Sequence, residues 1–102
     1  MVEKQARVQW APLVDGAPHA IELRCDYLVE ARGEVLVAEV KTGELAPSLD
    51  VAATRRQLLE YAVAFAADGV LLVCPERGTI HRVEFELAPS SSAARARVRT
   101  SA

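Results

Sequence analysis

The chain has 102 residues, 51% of them apolar and 25% charged, with a formal net charge of −2. That is material for one domain with a single modest core; no apolar run approaches the roughly 18 residues of a membrane-spanning helix, and Met1-Val2-Glu3-Lys4-Gln5 lacks the basic-then-apolar order of a signal peptide. The expectation is a soluble cytoplasmic protein with no membrane association and, at this charge, no whole-protein basic field to draw nucleic acid.

Residues 8–14 read as a short first strand, and Asp15-Gly16-Ala17-Pro18 as a turn and loop. Over residues 20–29, Ile21, Leu23, Cys25, Tyr27 and Val29 alternate with Glu22, Arg24 and Asp26, with Glu30 following, which predicts one strand with a single buried face. Arg32-Gly33-Glu34 then turns tightly into the β-branched run Val35-Leu36-Val37-Ala38-Glu39-Val40-Lys41, so the two runs form a hairpin. Thr42-Gly43 closes that strand, and a loop follows to Ser48. Residues 50–67 carry the best helix signal: Asp50 as N-cap, then Leu58, Leu59, Ala62, Val63, Phe65 and Ala66 as a broad apolar face, with Asp68-Gly69 ending it. Val70-Leu71-Leu72-Val73-Cys74 is continuous enough for an interior strand covered on both faces. Residues 80–87 form a last strand, with Ile80, Arg82, Glu84 and Glu86 on one face and Val83, Phe85 and Leu87 on the other.

The order β-β-β-α-β-β predicts an α/β fold of the α+β mixed-sheet kind, the helix crossing over to a parallel strand. Residues 1–88 make the domain and residues 89–102, small, polar and arginine-bearing, a mobile tail. Cys25 and Cys74 sit in apolar runs and are expected as buried free thiols. There is no CxxC pair and His19 and His81 lie far apart, which argues against zinc and leaves both as surface residues.

Chemistry concentrates around Glu39-Val40-Lys41. At the end of a strand, the period of two points the Glu39 carboxylate and the Lys41 ammonium the same way. Asp26, on the neighbouring strand of the hairpin, can approach Glu39. Two ionised carboxylates side by side repel unless a cation lies between them, and hard oxygen ligands select magnesium or manganese. A Glu-x-Lys on a strand is by itself ordinarily an exposed charge pair. Here it is preceded by an acid one hairpin away and followed by a helix with Gln57 and Tyr61 at i and i+4, on one helix face.

In that order Asp26, Glu39-Val40-Lys41-Thr42-Gly43 and Gln57-Leu58-Leu59-Glu60-Tyr61 resemble the RecB-like branch of the PD-(D/E)XK nuclease superfamily, over about half the chain. The resemblance implies a restriction-endonuclease-like core and DNA hydrolysis dependent on Mg²⁺, with Mn²⁺ as a substitute. It implies that Asp26, Glu39 and the Val40 backbone carbonyl hold the metal, and that Lys41 acts on water or phosphate with Gln57 and Tyr61 positioning it. Glu22 is an additional candidate acid from the strand itself, and Arg55 and Arg56 are candidate phosphate contacts. The family's usual first helix has no counterpart in the first twenty residues, so the domain is expected to act on DNA as a homodimer or within a larger complex. The alternatives are a non-catalytic nucleic-acid-binding or assembly module on the same fold, and a structural α/β domain whose charged strand end is solvated decoration.

Overall fold

The computed structural model describes residues 1–42 and 49–86. The expected loop beyond Thr42, Leu87 of the last strand, the boundary at 88 and the tail of 89–102 lie outside the described residues.

The first 31 residues form one long antiparallel hairpin. Strands β1 (Val2–Lys4), β2 (Arg7–Trp10) and β3 (Leu13–Val14) run out, and β4 (Ala17–Pro18), β5 (Ile21–Arg24) and β6 (Tyr27–Ala31) run back. Val2 opposes Val29, Lys4 opposes Tyr27, Arg7 opposes Arg24, Trp10 opposes Ile21 and Val14 opposes Ala17, so no residue is inserted on either side along its whole length. The tip is Asp15-Gly16, with φ of 50° and 83°. Positive φ at both central residues is the type I′ geometry that matches strand twist. The expected loop is thus a hairpin turn, and the first strand begins before residue 8.

The hairpin is bent at Gln5, which takes φ 52°. Across the bend the ladder continues: the Gln5 N–H donates to the Asp26 carbonyl at 2.7 Å and the Cys25 N–H to the Ala6 carbonyl at 3.0 Å. The predicted single strand over 20–29 is therefore two strands in two sheets. Because the bend re-aims the chain, Cys25 enters the core with Leu23, whereas Tyr27 and Val29 leave it and Leu28 replaces them.

A second type I′ turn, Arg32-Gly33 at φ 54° and 78°, joins β6 to β7 (Glu34–Val40). The helix α1 (Ala52–Ala64) then crosses to β8 (Gly69–Cys74), parallel to β7, and β9 (Thr79–Val83) closes an antiparallel edge after a 3-10 turn at Pro75–Arg77. The result is a mixed five-stranded sheet, order β1-β6-β7-β8-β9, with the β2/β5 arm bent away from it. Asp68 sets the β7/β8 register: its N–H donates to the Val35 carbonyl at 2.7 Å and its carboxylate accepts the Val35 N–H at 2.8 Å.

Helix α1 differs from expectation in two respects. Val51, not Asp50, occupies the N-cap, with no side-chain cap, and the helix ends at Ala64, closed by Ala66 in the left-handed region at φ 51°. Its buried stripe is narrow, Thr54, Leu58 and Tyr61, while Leu59 and Val63 are 39% and 45% exposed. A single helix on one sheet face buries only the residues at i, i+4 and i+7 that meet the sheet. Leu58, fully buried among Val37, Val70, Cys25 and Ala6, is the centre of that core, its burial contributing about 1.5–3 kcal/mol. Both cysteines are buried and free, as expected. Leu71 and Val73 of β8 are only half-buried, contrary to a strand covered on both faces.

Candidate active site

The bend at Gln5 and Asp26 is what opens the site. Asp26 and Glu39 are the next pair across from Tyr27 and Ala38, where the ladder would continue. Asp26 has given its carbonyl to Gln5, and side chains take over from the backbone. The Asp26 N–H donates to Glu39 Oε1 at 3.1 Å, and the Val40 N–H donates to Asp26 Oδ2 at 2.9 Å. Each carboxylate thus clasps the other's strand, which fixes both side chains.

On α1 the expected i, i+4 pair faces this clasp. Lys41 Nζ donates to Gln57 Oε1 at 2.6 Å, Gln57 Nε2 to the Tyr61 hydroxyl at 3.4 Å, and the Tyr61 hydroxyl to the Arg24 carbonyl at 3.0 Å. All three bonds point the same way, from the ammonium to the backbone just before the bend, an arrangement in which each bond polarises the next. Tyr61 is buried and meets Phe65 edge to face, centroids 6.3 Å apart. Lys41 Nζ also lies 3.7 Å from Glu39 Oε2.

Glu39 is buried, only 5% exposed, on the helix-covered side of the sheet. Burial raises its pKa above the ordinary glutamate value; the Asp26 N–H opposes that rise, the Asp26 charge adds to it and Lys41 opposes it. The same burial, with the Glu39 charge beside them, pushes the Tyr61 hydroxyl and the Cys25 thiol up. Cys25 is accordingly a core thiol and not a nucleophile.

Among the described residues no three His, Cys, Asp or Glu side chains converge on one point. The donor set for a cation is the two carboxylates together with backbone. Asp26 Oδ1 and Glu39 Oε2 are the oxygens the clasp leaves over. Val40 presents its N–H to Asp26, and because N–H and C=O of one strand residue point to the same neighbour, its carbonyl faces that side too. Two carboxylates and a carbonyl, with the remaining positions left to water and substrate, fit the hard-oxygen requirement of magnesium.

Asp26, Glu39, Val40, Lys41, Gln57 and Tyr61 are therefore one cluster. Glu22 is not part of it: it lies on β5 beyond the bend, exposed and 3.4 Å from Arg7. Arg55 is turned back to the carbonyls of Leu49 and Asp50, at 2.9 and 3.1 Å. Arg56 lines a shallow hollow with Trp10, Leu59, Glu60 and Val63. The Arg24 carbonyl and the Gln5 bend were missed by the sequence reading, and only the unbroken register of the long hairpin could have signalled them.

No protein-family model matches the chain, and no curated protein matches it. Among solved structures it is similar to the crystal structure of SSO0001, with 22% identity and a TM-score of 0.69 over 97% of this chain and 49% of that one. The two share the mixed α+β fold, one helix over a mixed five-stranded sheet with hairpins. At that identity the likeness is one of fold alone, and this chain spans about half the length of SSO0001.

Proposed function

We propose that this domain is a metal-dependent nuclease with a restriction-endonuclease-like core, of the PD-(D/E)XK kind, hydrolysing DNA phosphodiester bonds. Fold alone does not carry that reading. The observation that does is the convergence of the Asp26/Glu39 clasp with a lysine held by Gln57 and Tyr61 from another element.

Asp26, Glu39 and the Val40 carbonyl would hold Mg²⁺ or Mn²⁺. When bound, such an ion supplies electrophilic charge at a phosphate and acidifies water. The chain's own groups do the rest. Glu39, ionised in a buried place, favours a cation beside it. Lys41, its direction set by Gln57, presents its ammonium to the phosphate and to the attacking water. Water oxygen bonds to phosphorus, the phosphorus–oxygen bond to the leaving strand breaks, and the departing oxygen takes up a proton. Tyr61 touches neither water nor phosphate in this scheme; it anchors Gln57 to the Arg24 carbonyl and is a positioning residue.

A second reading, a non-catalytic nucleic-acid-binding or assembly module, is favoured by the first 31 residues, which form strands and no helix where the family's first helix is expected. The test is cleavage of labelled single-stranded, duplex and branched DNA with Mg²⁺ or Mn²⁺ by the parent, Asp26→Asn and Lys41→Ala. Cleavage lost on chelation and reduced at least ~10³-fold in both variants supports the nuclease. Salt-sensitive DNA binding that survives Lys41→Ala, with no cleavage on any substrate, supports the module.

A further inference from the structure

Two arginines stand directly opposite each other on the β2/β5 arm. Arg7 pairs with Arg24, and the Cys25 N–H, donating to the Ala6 carbonyl at 3.0 Å, makes theirs a non-hydrogen-bonded position of the ladder. At such a position the Cα atoms are about 4.5 Å apart and the side chains are closest. Like charges so placed repel and weaken the pairing. Along both strands exposed residues alternate with half-buried ones: Arg7, Gln9, Glu22 and Arg24 face outward, and Val8, Trp10, Ile21 and Leu23 face inward. The two guanidiniums therefore share the outer face.

Only one of them is answered. Glu22 lies 3.4 Å from Arg7, and both side chains are more than half exposed, so this ion pair offsets little of the repulsion. The Arg24 side chain makes no hydrogen bond or ion pair among the described residues; what Arg24 gives to the fold is its carbonyl, which accepts the Tyr61 hydroxyl. The position of the two arginines gives them a use. Arg24 is two residues before Asp26, roughly 7 Å of extended chain, and Arg7 is two residues after Gln5, whose N–H holds the Asp26 carbonyl. The arm thus leaves the sheet at the Asp26/Glu39 clasp with two positive charges on its first rung past the bend. Its inner face is closed by α1, Trp10 bordering Arg56, Leu59 and Val63 while Leu23 packs against the core. A polyanionic strand with one phosphate at the clasp can follow the arm only along the outer face, where it meets Arg7 and Arg24 first. That face carries net positive charge in a chain whose formal charge is −2.

We propose that Arg7 and Arg24 together bind the backbone phosphate next to the one at the Asp26/Glu39 clasp, so that the arm sets the path of the nucleic-acid strand. A phosphate between two guanidiniums replaces their repulsion with charge-assisted hydrogen bonds. Arg24 then bears on the site twice, its carbonyl anchoring Tyr61 and its guanidinium holding substrate. The proposal rests on the nuclease reading for the polymer it names.

The test is fluorescence anisotropy of a short labelled single-stranded DNA with the full chain, over a range of salt, metal being chelated so that nothing is cut. The variants are Arg24→Gln, Arg7→Gln and, as a control with the same change of charge, Arg32→Gln at the far turn of the β6/β7 ribbon. Loss of one phosphate contact should lower the salt slope by about 0.7, which weakens binding about fourfold at 0.15 M salt. Arg24→Gln and Arg7→Gln should each show this and Arg32→Gln should not, while Glu22→Gln, which frees Arg7, should bind more tightly. Arg24→Gln should also melt no lower than the parent, because it relieves a repulsion. Binding with these slopes by a chain that cuts no DNA keeps the arm contact and removes the nuclease; cleavage with a slope that neither arginine moves removes the arm contact alone. A parent that binds no DNA, or an Arg24→Gln loss no larger than that of Arg32→Gln, overturns the inference.

Discussion

The ribbon of β6 and β7 is regular at one end and opened at the other. At Arg32-Gly33 the backbone ladder runs unbroken into a type I′ turn, with Ala31 opposite Glu34. At Asp26/Glu39 the same two strands hold each other through side-chain carboxylates, beside a bend and next to a buried acid whose ionisation is disfavoured. The first end spends its residues on stability. The second gives up backbone bonds and buries a charge, which is the usual mark of a site shaped for chemistry at the expense of stability.

The comparison is broken most severely at Glu39. Glu39→Gln should lower cleavage ~10³-fold or more yet raise the melting temperature at neutral pH by roughly 2–5 °C, because the amide can still accept the Asp26 N–H without a buried charge. The sign follows from linkage. The raised pKa means the folded protein binds this proton more tightly than the unfolded one, so stability falls as pH rises from the ordinary glutamate range through the raised value and stays lower above it. The gain of Glu39→Gln over the parent should therefore shrink as the pH is brought below the ordinary glutamate range. Thermal melts at pH 4 and pH 7 check this, and a Gln variant that melts lower than the parent at pH 7 would refute the trade-off.

Tyr61→Phe keeps the ring against Phe65 and removes only the hydroxyl between Gln57 and the Arg24 carbonyl. Its expected cost is about 1 kcal/mol in urea unfolding and a roughly tenfold loss in kcat with KM little changed, as befits a residue that positions Lys41 through Gln57. An unchanged kcat would remove Tyr61 from the site. The smallest functional effect belongs to the regular end. Gly33 has φ +78° with open space around its Cα, so Gly33→Ala should cost about 1 kcal/mol through backbone strain alone. Cleavage per folded molecule should not change, and a loss of activity there would mean that the two ends are coupled.

Much of the site was legible because it follows strand and helix periods. Glu39 and Lys41 share a side of β7, and Gln57 and Tyr61 share a side of α1, whatever surrounds them. What was not legible came from breaks in period. The alternation from Ile21 to Val29 continues in sequence straight through a bend, so Tyr27 and Val29 were assigned to a core that only Leu23 and Cys25 join. The same break separates Glu22 from Asp26. Leu59 and Val63 were assigned to a broad helix face because composition counts apolar residues without knowing how many elements exist to bury them.

The sequence by itself determined the hairpin through the tight Arg32-Gly33 connection, the parallel crossover by α1 to β8, and the spacing of Asp26, Glu39, Lys41, Gln57 and Tyr61. These depend on local backbone preference and on side-chain period, which neighbouring residues alone specify. Only the tertiary structure decided that a positive φ at Gln5 turns the first hairpin through two sheets, that Asp26 and Glu39 clasp each other's strands, that the Tyr61 hydroxyl reaches the Arg24 carbonyl, and which face of the sheet α1 covers. Each of these depends on which groups far apart in the chain must satisfy one another once water is excluded, and no local pattern carries that information.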